Sequence, residues 1–376
     1  MTINMNKCKQ MIIMLHELPG IGWRTIQKAV AKELWRTEQP AVEADWLAAG
    51  FQRDQAKLAS ERLRAGIEAA GTPYQRALQL GAAVITPLDA DYPEYLRHIP
   101  QPPWVLYALG RLDLLFRPSI AVVGTRNPTA YGRHTAVSLS EQLSSHGITV
   151  VSGMARGIDS KAHEAALKGE GRTIAVLACA VDCCYPSENR SLYHQIEEHG
   201  LLLSETPPGA PLHPGMFPLR NRIIAGLSLG TLVIEAAKGS GSLITADQAL
   251  DMSRDVYAVP GPISSPKSEG TNGLIREGAK LVSKVEDILE EYVWLKRVRD
   301  SEAQVATVQP WKQVISDVNM TPDERKVIEL LHDRPLTINE IHQLTSIPFG
   351  HLSALLINLC IKRKIEQQTG SLYIAL

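Results

Sequence analysis

The stretch from Ser119 to Gly132, SIAVVGTRNPTAYG, places an arginine on a tight turn after an apolar run. Gly124-Thr125-Arg126 follows Ile120-Ala121-Val122-Val123, and a helical pattern follows Pro128. Strand, turn and helix in that order present backbone N–H groups and a helix N-terminus to an anion. Arg126 adds an always-charged planar fork suited to phosphate oxygens. The spacing is not GxGxxG, so a dinucleotide is not the first ligand expected.

Three further turns carry similar chemistry. Ser152-Gly153-Met154-Ala155-Arg156-Gly157 precedes a helix that contains Asp159 and His163. Phe217-Pro218-Leu219-Arg220-Asn221-Arg222 leaves a Pro- and Gly-rich loop and opens a helix over Ile223 to Leu229. Ser240-Gly241-Ser242 leads into Thr245 to Met252. Small residues or proline at a helix start favour anions, so several phosphates could be held. The glycines could equally serve tight turns, and Ser240 and Ser242 could be simple N-caps. Arg220 and Arg222 are two apart and cannot share a helical face, so one is expected to meet a ligand and the other to brace the loop. Phe217, one of only four phenylalanines, stands beside both arginines, a pairing that stacks bases along a single strand; burial in the core is the other reading. Asp159 and His163 are at i and i+4, but no third ligand stands at metal spacing, so a structural hydrogen bond is expected and no metal.

The elements that must position these turns follow from the pattern. Apolar runs at Ile120, Ile148 to Val151, Thr173 to Leu177, Leu201 to Leu203, Thr231 to Ile234, Val256 to Val259 and Lys280 to Val282 alternate with helical segments. That rhythm predicts an α/β fold: an extended Rossmann-like, mainly parallel sheet, whose ligands lie beyond the strands' carboxyl ends. Strand-like Ala82 to Thr86 and a Pro-rich stretch ending at Gly110 precede it. Residues 1–72 read as a helical domain in which Leu18-Pro19-Gly20-Ile21-Gly22 resembles a helix-hairpin-helix turn; it either approaches a phosphate or only packs. Asp45 to Ala70 reads as continuously helical. The sheet domain is expected over 73–292, a polar linker over 293–318 and a winged helix over 319–376, with a capping box at Thr337 to Glu340 and a hairpin wing at the end. Its third helix offers mainly Leu352, Leu355, Leu356 and Leu359, and its charges nearly balance, so protein contact or weak DNA contact fits it as well as base readout.

Composition limits the partners. A net charge of −1 excludes nucleic-acid binding through bulk positive field, so any such site must be local, and Arg111, Arg117, Arg126 and Arg133 face only Asp113 in their stretch. Five scattered cysteines match neither a disulfide framework nor a zinc site and read as free thiols. The chain offers no run long enough to span a bilayer and no secretory leader, so a cytoplasmic location and no membrane insertion are expected.

The ordered motifs resemble those of the bacterial DNA-processing protein A family (DprA, also called Smf). The match covers Ala121 to Arg126, Val151 to Asp159 with Ala162-His163, Tyr185-Pro186 with Asn189, Phe217 to Leu227, Ser240 to Ser242 with Thr245-Ala246, and Val259-Pro260-Gly261. The resemblance implies a dimeric, Rossmann-like protein that binds single-stranded DNA without catalysis or cofactor and delivers it to the recombinase RecA in natural transformation. It implies a pocket that includes Arg126, Phe217 and Arg220. With the loop reading, the candidate nucleic-acid residues are Gly124, Thr125, Arg126, Gly153, Gly157, Phe217, Arg220, Asn221, Arg222, Ser240, Gly241 and Ser242. The third loop departs from the family: glycines are usual there, and this chain has Ala178-Cys179-Ala180-Val181-Asp182, which puts a phosphate approach at that loop in question. The competing expectation is a nucleotide-processing hydrolase on a related fold. Such enzymes carry PGGxGTxxE, absent here, and Glu235, the nearest counterpart, reads as a capping residue.

Overall fold

A computed structural model of the chain describes residues 2–36, 41–67, 69–292, 322–333, 336–345, 347–348, 352, 355–356, 359, 365–368 and 372–375. The linker expected over 293–318 lies outside the described residues. The chain divides into two compact units, Met1–Val293 and Trp294–Leu376.

Nine strands form the sheet of the first unit: β1 Ala83–Ile85, β2 Leu106–Gly110, β3 Ser119–Gly124, β4 Thr149–Ser152, β5 Thr173–Leu177, β6 Leu201–Ser204, β7 Gly230–Ile234, β8 Asp255–Ala258 and β9 Lys280–Leu281. Their order is β1-β2-β6-β5-β4-β3-β7-β8-β9. The pairs from β6 to β9 are parallel, and β1 and β2 are antiparallel additions at one edge. From β3 the chain winds outward to β6, then returns to β7 beside β3. That reversal is a topological switch point, where open sheets form their ligand crevice.

Alternation along the central strands fixes which helices cover which face. Ile174 and Val176 of β5 join Val123, Val151 and Val233 against Ile223, Ile224 and Leu227 of helix Met216–Leu227. Ala175 and Leu177 face the other way, onto Leu192 and Ile196 of helix Arg190–His199. Each such aliphatic side chain contributes about 1.5–3 kcal/mol on burial.

The helical front belongs to the same unit. Helices Thr2–His16, Trp23–Ala31, Glu43–Ala48 and Arg53–Ala65 enclose Met11, Leu15, Ile26 and Trp46, and this core continues onto Val105 and Tyr107 beside β2. The continuous helix expected over Asp45 to Ala70 is two helices, because Gly50 turns the chain at φ +86. The first helix is tied across to the sheet by His16 Nε2, which donates to the Glu205 carbonyl at 2.7 Å.

In the second unit, helices Pro322–Asp333 and Ile338–Thr345 pack with a three-stranded sheet, β10 Leu336–Thr337, β11 Ile365–Gln368 and β12 Leu372–Ala375. The expected capping box is present: Thr337 N donates to Glu340 Oε2 at 2.8 Å, and Glu340 N donates to Thr337 Oγ1 at 3.4 Å. β11 and β12 form the expected wing. Leu352, Leu355, Leu356 and Leu359, placed on the third helix by their spacing, are buried against Val327, Leu331 and Ile341. They are core residues and take no part in base readout.

Candidate functional site

The turns picked out above lie at the carboxyl ends of β3, β4, β6 and β7. A network behind them sets their shape. Arg220 is 7% exposed, and its Nη1 donates to the Gly153 carbonyl at 2.6 Å and to the Val176 carbonyl. Asp159 Oδ2 accepts from Gly153 N at 3.1 Å and Ala155 N at 3.4 Å. A Cβ on Gly153 would stand 2.5 Å from the Arg220 guanidinium, so this glycine admits an arginine of the protein itself rather than a phosphate. Gly157, at φ +84, lets the same loop close on the first turn: a Cβ there would meet the carbonyls of Thr125 and Arg126 within 2.6 Å. Burial lowers the Arg220 pKa to about 10 and Asp159 counters it, so Arg220 remains a cation inside the domain.

His163 completes the brace. Its Nε2 accepts from Met154 N at 3.3 Å, and its Nδ1–H donates to Thr173 Oγ1 at 2.6 Å, while Thr173 donates to the Val150 carbonyl. The Met154 N–H needs a lone pair on Nε2 and so requires the neutral ring, and burial with Arg220 nearby pushes its pKa down to about 3. The unfolded chain takes up this proton near pH 6.5 and the folded one does not. Stability from this group is therefore complete above pH 6.5 and is lost as pH falls toward 3, at about 1.4 kcal/mol per pH unit. Burial raises the Asp159 pKa, which acts in the opposite sense. In denaturant titrations at pH 7 and pH 5, wild type should lose about 2 kcal/mol more than His163→Gln; equal losses would remove histidine from this role.

On this frame Arg126 is exposed, and its Cζ lies 5.7 Å from the centroid of the half-buried Phe217 ring. Phe217 in turn meets Tyr185 at 5.6 Å between centroids. Arg126, Gly153, Ala155, Arg156, Ala178, Cys179, Tyr185, Pro186 and Phe217 line one pocket. Phe217 belongs to neither of the two described core clusters that include its neighbours Ile223 and Cys179. Tyr185 was missed by reasoning from loop chemistry, although an exposed tyrosine before a proline after a strand is its signal. The four described cysteines are free, and Cys179 forms part of the pocket wall. Ala178 and Cys179 therefore bring the third loop to the pocket through small side chains rather than glycine.

The remaining candidates are placed differently. Gly124 ends β3, where a Cβ would stand 2.0 Å from the Ile234 carbonyl, and Thr125 N donates to the Glu235 carbonyl at 2.8 Å. Neither serves as an open anion turn. Phe217 to Arg222 lie within the first turns of helix Met216–Leu227 and not in a loop ahead of it. Consequently both arginines are buried, Arg220 on backbone carbonyls and Arg222 paired with Glu205 at 2.6 Å, and neither stands exposed at the pocket of Arg126 and Phe217. Asn221 Nδ2 donates to the Gly241 carbonyl at 3.4 Å, joining this helix to Ser240–Ser242. Ser240 is the N-cap of helix Gly241–Asp251, its hydroxyl 2.8 Å from that of Ser242.

The local basic surface drawn from Arg111, Arg117, Arg126 and Arg133 does not form. Arg111 and Arg117 both pair with Asp113, at 2.8 and 2.9 Å, before β3 begins, whereas Arg126 follows its end. Six strand residues separate the two places by roughly 20 Å. The Glu235 carboxylate accepts from Thr129 N at 2.8 Å and from the Thr129 hydroxyl at the start of helix Ala130–Ser145, as a capping residue would. Among the described residues no helix is long and apolar enough to cross a membrane.

Comparison with known proteins agrees with this geometry. The family model for DNA recombination-mediator protein A matches residues 83–293, and that for the DprA winged helix domain matches 316–371. Protein Smf of Synechocystis is 36% identical over 314 residues, covering 77% of this chain and 79% of that protein. DNA processing protein DprA of Bacillus subtilis is 43% identical over 244 residues, 64% of this chain and 82% of its own. The X-ray structure of DNA processing protein A from Streptococcus pneumoniae superposes with a TM-score of 0.65 at 36% identity, covering 77% of this chain and 97% of that one. The Helicobacter pylori protein, described for its single-stranded DNA binding mode, gives a TM-score of 0.52 at 29% identity over 56% of this chain and 95% of that one. With the sheet domain and the winged tail both matched, the chain belongs to the DNA recombination-mediator protein A family.

Proposed function

We propose that the protein binds single-stranded DNA at the carboxyl edge of its sheet, protects incoming strands during natural transformation and delivers them to RecA. The observation that carries this reading is the run of Arg126, Phe217 and Tyr185, a cation and two aromatic rings in contact on one pocket wall. Bases of any sequence stack on such rings while the guanidinium takes a phosphate, the combination that sequence-tolerant single-strand binders use. The single-strand binding mode of the Helicobacter pylori relative supports it. In this reading Arg126 and Phe217 contact DNA, with Ser240 to Ser242 as a further contact. Gly153, Gly157, Arg220 and Asn221 hold the pocket in shape. The protein works in the cytoplasm as a homodimer through its sheet domain and catalyses no reaction. A nucleotide hydrolase would need a free carboxylate at the edge, and Glu235 is tied to Thr129.

The test is an oligo-dT titration at two salt concentrations, run beside a nucleoside-monophosphate hydrolysis assay. Arg126→Ala is expected to weaken binding about tenfold and to flatten the log–log salt dependence by about 0.7 for one lost phosphate contact. Wild-type affinity and slope in that variant would show that the pocket is wrongly placed, and hydrolysis by wild type would favour the enzyme.

A further inference from the structure

A second cavity lies beside the first. It is a cleft of about 430 Å3 between the Leu18-Pro19-Gly20-Ile21-Gly22-Trp23 turn of the helical front and the carboxyl edge of the sheet, a volume within the range of roughly 300–1,000 Å3 typical of small-ligand sites. Trp23 and Trp104 form its outer wall, their rings 5.8 Å apart and tilted by 32°. Both indole N–H groups are held by backbone, Trp23 Nε1 on the Pro102 carbonyl at 2.7 Å and Trp104 Nε1 on the Trp23 carbonyl at 3.1 Å. The rings are thereby fixed, and both stay half-buried.

The inner wall carries a largely buried ion pair among apolar side chains. Arg222, 9% exposed, gives Nη2 to both oxygens of Glu205, while its Nε and Nη1 have no hydrogen-bond partner. These two nitrogens are enclosed, so an acceptor in the cleft meets them only when the Arg222 side chain shifts toward it, a shift that their missing partners favour. Leu219, 58% exposed, adds an apolar side two residues from Phe217 on the same helix. Ala178 lines both this cleft and the Arg126 pocket, so the two are neighbours on either side of one small side chain.

We propose that this cleft is a second subsite of the same single strand, receiving one nucleobase between the tryptophan wall and Arg222, so that the helical front is part of the DNA path. The inference rests on the single-strand reading above. A base supplies what the cleft lacks: a flat apolar face for the tryptophans and exocyclic carbonyl acceptors for a cation. Exposed Arg24 is the next residue after Trp23 and adds a positive charge at the start of helix Trp23–Ala31, which favours a polyanion at this end.

Gly22 allows a test that separates binding from folding. It lines the cleft, has ordinary extended φ and ψ of −94 and 175, is the N-cap of helix Trp23–Ala31, and a Cβ there would meet nothing within 4 Å. Asp and Asn are both strong N-caps, so either variant keeps the helix, but only Asp adds a negative charge. In the full-length chain, Gly22→Asp should bind oligo-dT about fivefold more weakly than Gly22→Asn at low salt, with the difference fading at high salt. Trp23→Leu should weaken binding about fivefold or more and abolish part of the tryptophan quenching that oligo-dT produces. Equal affinities for the two Gly22 variants, with wild-type affinity for Trp23→Leu, would overturn the subsite. Should Arg126→Ala still be weak in that case, the first pocket stands alone; should it too bind normally, the single-strand reading fails. Thymidine monophosphate quenching Trp23 as strongly as oligo-dT at equal nucleotide concentration would assign the cleft to a free nucleotide and overturn it likewise.

Discussion

Arg220→Ala is expected to lower the stability of the sheet domain by about 3–5 kcal/mol, read as a fall in the denaturant midpoint with an unchanged slope. The cost arises because three groups lose their partner together. The Gly153 and Val176 carbonyls lose a charged donor, and Asp159, buried beside them, loses its counter-charge. A hydrophobic replacement cannot supply those donors, so Arg220→Met should recover packing but only part of the loss. Asp159→Asn in the Arg220→Ala background should recover more, because it removes the uncompensated charge. DNA affinity should fall only as far as the pocket turns loosen. A variant with intact stability and abolished oligo-dT binding would show that Arg220 contacts the ligand directly.

Phe217→Ala should behave in the opposite way. Its ring is half-buried and lies against Arg126 and Tyr185 outside the core clusters, so its removal leaves no core cavity and the melting temperature should move little. Loss of a stacking ring costs about 1–3 kcal/mol of affinity, roughly 5- to 150-fold. Tyr185→Ala should reproduce part of that loss, since the two rings share one wall. Phe217→Tyr keeps the face and should retain most of the affinity. A large stability loss without a change in oligo-dT affinity would make Phe217 a packing residue and return the pocket to Arg126 alone.

The strands were legible because each central one is a short apolar run bounded by turns, and burial on both faces forces that composition. The wing and the capping box were legible for the same local reason. Less legible was the break between Glu43–Ala48 and Arg53–Ala65, where Gly50 adopts a positive φ inside a segment of otherwise helical composition. The start of helix Met216–Leu227 was hidden by Pro218, which reads as loop but is tolerated in a first turn, where its missing N–H has no helical partner.

What the sequence by itself determined is the set of strands, the turns after them and the residues that could do chemistry there, since periodicity and turn chemistry are local. Only the tertiary structure decided which charges face a ligand. Arg126 and Arg220 look alike in the chain, but one is exposed above Phe217 while the other is buried on Gly153 and Val176. Burial of a cation depends on which carbonyls and carboxylates distant segments bring to it, here from β4, β5 and helix Ile158–Ala166. Gly153 follows the same rule: its missing side chain reads as room for a phosphate, and the fold fills that room with a guanidinium.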